Sequence, residues 1–122
     1  SETLQWLFFQ MGGIGPMFGQ LGHFFKYGKD ACDHPYPVKR YTTEAKRLLL
    51  VLDKRLEGRT YLVGDEYSIA DISIFPWVGC LDWAYGAKEI LELDTFKNVM
   101  DWYQRCSEKP ASIIGAKVCG FD

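Results

Sequence analysis

One segment limits the fold of this chain more than any other. Ser68-Ile69-Ala70-Asp71 has the spacing of an N-terminal capping box. In that frame the serine hydroxyl accepts from the amide of the third helical residue, and that residue's side chain returns to the serine amide. Asp stands where Glu or Gln is commoner, so the return bond demands a tight geometry. Tyr67 and Ile72 flank the cap at hydrophobic-staple spacing. Behind it Ile69, Ile72, Ile74, Phe75, Trp77, Val78 and Leu81 fall on nearly every helical face. A helix apolar all round belongs at the centre of its domain, so the rest of the chain must wrap it. Pro76 within it predicts a kink.

The remaining segments supply helices for that wrapping. A first helix is expected from about Glu2 to Tyr27, weakened or bent at Gly12-Gly13-Ile14-Gly15-Pro16, where glycine costs backbone entropy and proline lacks its N–H. The patch is no dinucleotide loop: Phe18 occupies the third glycine position and no strand precedes it. A loop over 28–37 leads to a second helix from about Val38 to Glu57, with Tyr41, Ala45, Leu48, Leu49, Leu52 and Leu56 on one stripe and Gly58 as its stop. Tyr61-Leu62-Val63 returns the chain to the core. A short turn is expected over 87–93. A helix capped by Asp94 or Thr95 then runs to about Glu108, with Phe96, Val99, Met100, Tyr103 and Cys106 on one face, and a last short helix covers 111–118. No segment alternates as a strand does. The expected fold is all-α, an irregular bundle of about five helices.

Composition excludes several functions. With 122 residues there is room for one domain. A net charge of −2 gives no basic excess for nucleic acid. Leu4–Phe25 carries no Asp, Glu, Lys or Arg and is long enough to span a bilayer, and it contains Gly15-x-x-x-Gly19. Its glutamines, His23, Pro16 and five glycines instead fit a soluble helix buried on several sides. Cys32, Cys80, Cys106 and Cys119 form no C-x-x-C pair, and Cys32 with His34 lacks a second pair to complete a metal site. Free thiols in a reducing cytosol are the expectation, against a disulfide framework. The surplus is aromatic: 8 Phe, 7 Tyr and 4 Trp imply a dense core or an apolar surface awaiting a partner.

Three blocks carry a family resemblance. The run Tyr61-Leu62-Val63-Gly64-Asp65-Glu66-Tyr67 through Ile72 resembles the start of the central helix in the C-terminal domain of cytosolic glutathione transferases. Phe96-Lys97-Asn98-Val99-Met100-Asp101-Trp102, with Lys109-Pro110-Ala111, is similar to that family's later helix and its ending, although Lys97 stands where proline is frequent. Leu4 to Gly13, then Gly15-Pro16-Met17 and Gly19-Gln20, resembles the Nu-class enzymes and the fungal nitrogen-regulator branch, as does Arg40-Tyr41 followed by Glu44 and Arg47. The resemblance covers about Leu4 to Ala111. It implies a helical C-terminal domain of an enzyme that conjugates glutathione to electrophiles or reduces disulfides with glutathione, cytoplasmic and dimeric. The alternative it leaves open is a non-catalytic interaction domain of the same fold, as in translation factors or the nitrogen regulator. The family's N-terminal thioredoxin-like domain binds most of the glutathione and activates its thiol. Residues 1–122 contain no βαβ unit to supply it, so the chain reads as the helical domain alone and inactive by itself.

For individual residues, the resemblance implies that Trp6, Phe9, Met11, Met17, Phe24 and Trp77 line an apolar substrate pocket, where core packing is the plainer reading of each. It implies that Arg40 binds a glutathione carboxylate, since a guanidinium can grip a carboxylate with two parallel bonds. A cation near a helix N-terminus opposes the macrodipole, which also favours a functional reason for Arg40. Ser68 and Asp71 have no neighbouring histidine to act as base, so capping accounts for both. His23 is expected as a half-buried core histidine and Cys80 as an inert buried thiol. Metal and nucleic acid are not expected as ligands.

Overall fold

The computed structural model describes residues 1–118; Cys119 lies outside them. Among the described residues all regular structure is helical: α1 (Glu2–Phe9), α2 (Gly15–Gly22), α3 (Tyr36–Leu56), α4 (Ile69–Trp83), α5 (Lys88–Leu91), α6 (Lys97–Ser107) and α7 (Pro110–Gly115), with 3-10 turns at Lys29–Ala31 and Leu93–Thr95. α1 and α2 belong to one uninterrupted run over 2–27. The glycine patch widens this run into a π turn at Gln10–Ile14, and a second π turn follows at His23–Tyr27. The Gly15 amide donates to the carbonyl of Gln10, and that of Gly28 to His23, each five residues back. Gly15 suits the close approach there: a Cβ would sit 3.3 Å from the Gln10 carbonyl oxygen and 2.7 Å from its side-chain Nε2, which would have to swing aside. Merging this run leaves six helical stretches, close to the expected bundle.

The core forms where α2, α3, α4 and α6 meet. Ile14, Phe18 and Leu21 from the first run pack with Ala45, Leu48, Leu49, Leu52 and Leu56 of α3. Ile74, Val78 and Leu81 of α4 and Val99, Trp102 and Cys106 of α6 complete it. Tyr61 and Leu62 reach the core as expected.

The capping box at Ser68 forms in both directions. Ser68 Oγ accepts from the Ala70 amide at 3.3 Å, and the Ser68 amide donates to Asp71 Oδ2 at 3.0 Å. Asp71 does more than the spacing suggested. It is fully buried, and its Oδ1 also accepts from the Leu62 amide at 3.0 Å and the Trp102 indole at 2.8 Å. One carboxylate thus ties the 57–68 loop, α4 and α6 together.

Three expectations need correction. α4 is not covered all round: Ile69, Ile72 and Trp83 are exposed, Trp83 by 67%. The helix is central to the described residues on one side and forms a cleft wall on the other. Neither Asp94 nor Thr95 caps α6, whose N-cap position is Phe96. Thr95 Oγ1 instead donates to the Glu92 carbonyl, and Asp94 lies 3.8 Å from Lys88. The acceptor comes from α3, where Asp53 Oδ1 takes the Val99 amide at 3.1 Å. His23 is exposed at the first position of the second π turn, its ring seated on Gly28.

Candidate functional site

Arg40, Glu44 and Arg47 lie at i, i+4 and i+7 on the outward face of α3. The two arginines expose 49% and 59% of their side chains, and Glu44 between them 16%. Glu44 takes two bonds from Arg47, Nη2 to Oε1 at 2.6 Å and Nε to Oε2 at 3.0 Å. Arg40 Nη1 stands 3.6 Å from Oε2, an ion pair without a hydrogen bond. The Arg47 hydrogen bonds, more than the nearby positive charges, hold the Glu44 carboxyl below its usual range. On the same helix Tyr41 stacks on Phe24 at 5.7 Å and 9°, and His23 meets Phe24 edge-on at 4.9 Å. This aromatic pair, whose Tyr41 follows Arg40 in the sequence, bridges the first helical run and α3.

A second surface is an apolar cleft of about 770 Å³ between α4, α6 and α7. Ile72, Phe75, Pro76 and Trp83 form one wall, Tyr67 and Tyr103 add hydroxyls, and α7 closes the far side. Tyr67 and Ser112 share a hydrogen bond at 3.1 Å, and the Lys109 ammonium sits over the rings of Tyr61 and Tyr67 at 5.1 and 5.4 Å. Burial pushes the Tyr67 and Tyr103 phenols up, so both remain donors near neutral pH.

None of the six residues read as a substrate pocket lines this cleft. Trp6 packs edge-on to Phe9 at 5.2 Å and under the Arg55 guanidinium at 5.5 Å. Met17 packs on the core, and Trp77 does so near Gly15, on the far side of the first π turn. Phe24 lies further on, beside Tyr41. Met11 is 68% exposed and joins Leu4 and Phe8 in an outward apolar stripe at i, i+4 and i+7. The cleft was missed from the sequence; its signal was the excess of apolar residues on α4 beyond what one core face can take. The Arg40–Glu44–Arg47 spacing was visible, but not the unequal sharing of its carboxylate.

Cys32 and Cys80 are half-buried and Cys106 is buried, all as free thiols. Burial pushes the Cys80 thiol up and that of Cys106 up to about 12, so neither is poised as a nucleophile. Among the described residues no three His, Cys, Asp or Glu side chains cluster to hold a metal ion, and no helix is long and apolar enough to cross a membrane.

The family model for the glutathione S-transferase C-terminal domain matches residues 15–110. The chain is 43% identical over 112 residues to the disulfide-bond oxidoreductase YfcG of Escherichia coli, covering 92% of this chain and 49% of that protein. It is 42% identical over 113 residues to the disulfide-bond oxidoreductase YghU of the same organism, covering 91% and 38%. Among solved structures it superimposes on a glutathione transferase from Pseudomonas putida, with one glutathione disulfide bound per subunit, at a TM-score of 0.93 and 49% identity, covering 98% of this chain and 51% of that one. The chain thus spans about half the length of the relatives it matches, or less.

Proposed function

Because this chain belongs to the family of glutathione S-transferase C-terminal domains, we propose that it is the helical half of a glutathione-dependent disulfide reductase or transferase. The observation that carries this reading is Arg40. Its guanidinium is half exposed and only loosely held by Glu44, so it can take a carboxylate of glutathione. Disulfide reduction is the favoured reaction, in keeping with the names of YfcG and YghU and the ligand of the P. putida enzyme. Two glutathione thiols would each lose a proton and together one electron pair, forming glutathione disulfide and leaving the substrate as two thiols.

In this proposal a thioredoxin-like half activates the thiol, and this domain supplies the carboxylate clamp and an apolar wall. Phe24 and Tyr41 belong to that wall directly, while Trp6, Phe9, Met17 and Trp77 support the helix that carries it. The thioredoxin-like half covers the cleft between α4, α6 and α7, which leaves Ile72 and Trp83 open to water in the domain by itself. The Leu4–Phe8–Met11 stripe meets a second subunit. Free thiols suit a reducing, cytoplasmic setting.

The test uses the full-length protein, titrated calorimetrically with reduced and oxidised glutathione and assayed for reduction of a small organic disulfide. Binding and glutathione-dependent turnover are expected. Arg40→Ala should weaken glutathione by about 1.5–3 kcal/mol, and Arg40→Lys by less, because the charge stays but the fork is lost. A full-length protein with neither binding nor turnover overturns the reading and returns the domain to an interaction role.

A further inference from the structure

Two guanidiniums and one carboxylate leave the α3 cluster one positive charge in excess, and the structure divides that carboxylate unequally. Glu44 followed by Arg47 places the acid nearer the helix N-terminus, the favourable order for a helical ion pair. Arg40 followed by Glu44 is the unfavourable order. The geometry agrees: Arg47 holds both carboxylate oxygens at 2.6 and 3.0 Å, whereas Arg40 stays at 3.6 Å. Among the described residues Arg40 makes no ion pair other than the loose one to Glu44.

We propose that Arg47 is a positioning residue: by occupying Glu44 bidentately, it keeps the Arg40 guanidinium open to the carboxylate of an incoming ligand. Without Arg47, Glu44 is the nearest anion to Arg40 and becomes an internal competitor for it. The inference rests on the reading of Arg40 as a glutathione clamp and adds to it the residue that keeps the clamp empty.

The experiment is a double-mutant cycle in the full-length protein, read as glutathione affinity by calorimetry and as KM and kcat in disulfide reduction. Arg47→Met should weaken glutathione about two- to fivefold, the scale of an exposed ion pair, through KM with little change in kcat. Glu44→Gln should bind glutathione at least as tightly as wild type, since the competitor is gone. The decisive arm is Arg47→Met placed in the Glu44→Gln protein, where the loss should vanish. Arg47→Lys, which keeps the charge but offers one contact, should fall between wild type and Arg47→Met and guards against a folding defect. An equal loss on removing Arg47 in both backgrounds would mean that only net positive charge matters, and would overturn the inference while leaving the Arg40 clamp standing. A wild-type protein that binds no glutathione overturns both.

Discussion

Replacing Asp71 should damage this domain more than any other single change to a charged residue. Three N–H groups depend on its carboxylate: the amides of Leu62 and Ser68, each at 3.0 Å, and the Trp102 indole at 2.8 Å. The carboxylate is fully buried, so in Asp71→Ala no water replaces it without first entering the core. Each stranded donor costs about 1–3 kcal/mol. With partial relaxation the total comes to about 3–5 kcal/mol, a large share of the roughly 6–18 kcal/mol available to a domain of this length. Asp71→Asn keeps one acceptor oxygen. Turned toward Leu62 and Trp102, it points an NH2 at the Ser68 amide, so about 2 kcal/mol should be lost. Ser68→Ala removes only the hydroxyl half of the box, for about 1 kcal/mol. Urea denaturation followed by far-ultraviolet circular dichroism would rank the three. A midpoint for Asp71→Ala equivalent to less than about 1 kcal/mol of destabilisation would refute the argument that this carboxylate serves three elements at once.

Other expectations follow from the packing. Gly22→Ala should destabilise despite alanine's helical advantage, by about 1–2 kcal/mol, because the new Cβ would sit 2.5 Å from the Tyr85 ring; thermal unfolding would show it. Asp53→Ala should cost about 1 kcal/mol and speed amide exchange in the first turn of α6, since Asp53 serves as its cap from another helix. Cys106 should resist alkylation near neutral pH at any rate faster than unfolding, which peptide mass spectrometry can follow. Its thiol is raised to about 12 in the fold against 9.0 without it. The sign follows: the unfolded chain gives up that proton first, so stability is full below pH 9 and falls between 9 and about 12.

What could be read from the sequence was local. Ser68 and Asp71 announce their box because a cap depends on spacing within one turn. The stripe from Tyr41 to Leu56 announces its helix because burial has the helical period. What could not be read needed two segments at once. The cap of α6 comes from Asp53, 46 residues before the Val99 amide it accepts, and Asp94 and Thr95 looked suitable only because they were near. The exposure of Ile72 and Trp83 likewise depends on what α7 leaves uncovered. At the candidate site Arg40 was legible as a residue type in a motif. Its freedom was not, since that depends on which oxygen of Glu44 each arginine reaches.

The two π turns bear on how chains of this kind can vary in length. In an α-helix each residue turns the face by about 100°. A π turn absorbs one residue more than an α turn, so the side chains after it keep facing the core although the count before it has slipped. Gln10–Ile14 and His23–Tyr27 are therefore places where the first helical run already accommodates an extra residue. Losing one residue within either would tighten the turn to α geometry and leave both flanking faces in register. The same loss between Pro16 and Leu21 would rotate Phe18 or Leu21 out of the core. Single-residue deletions in this helix, ordinarily poorly tolerated in such an element, have two permitted addresses.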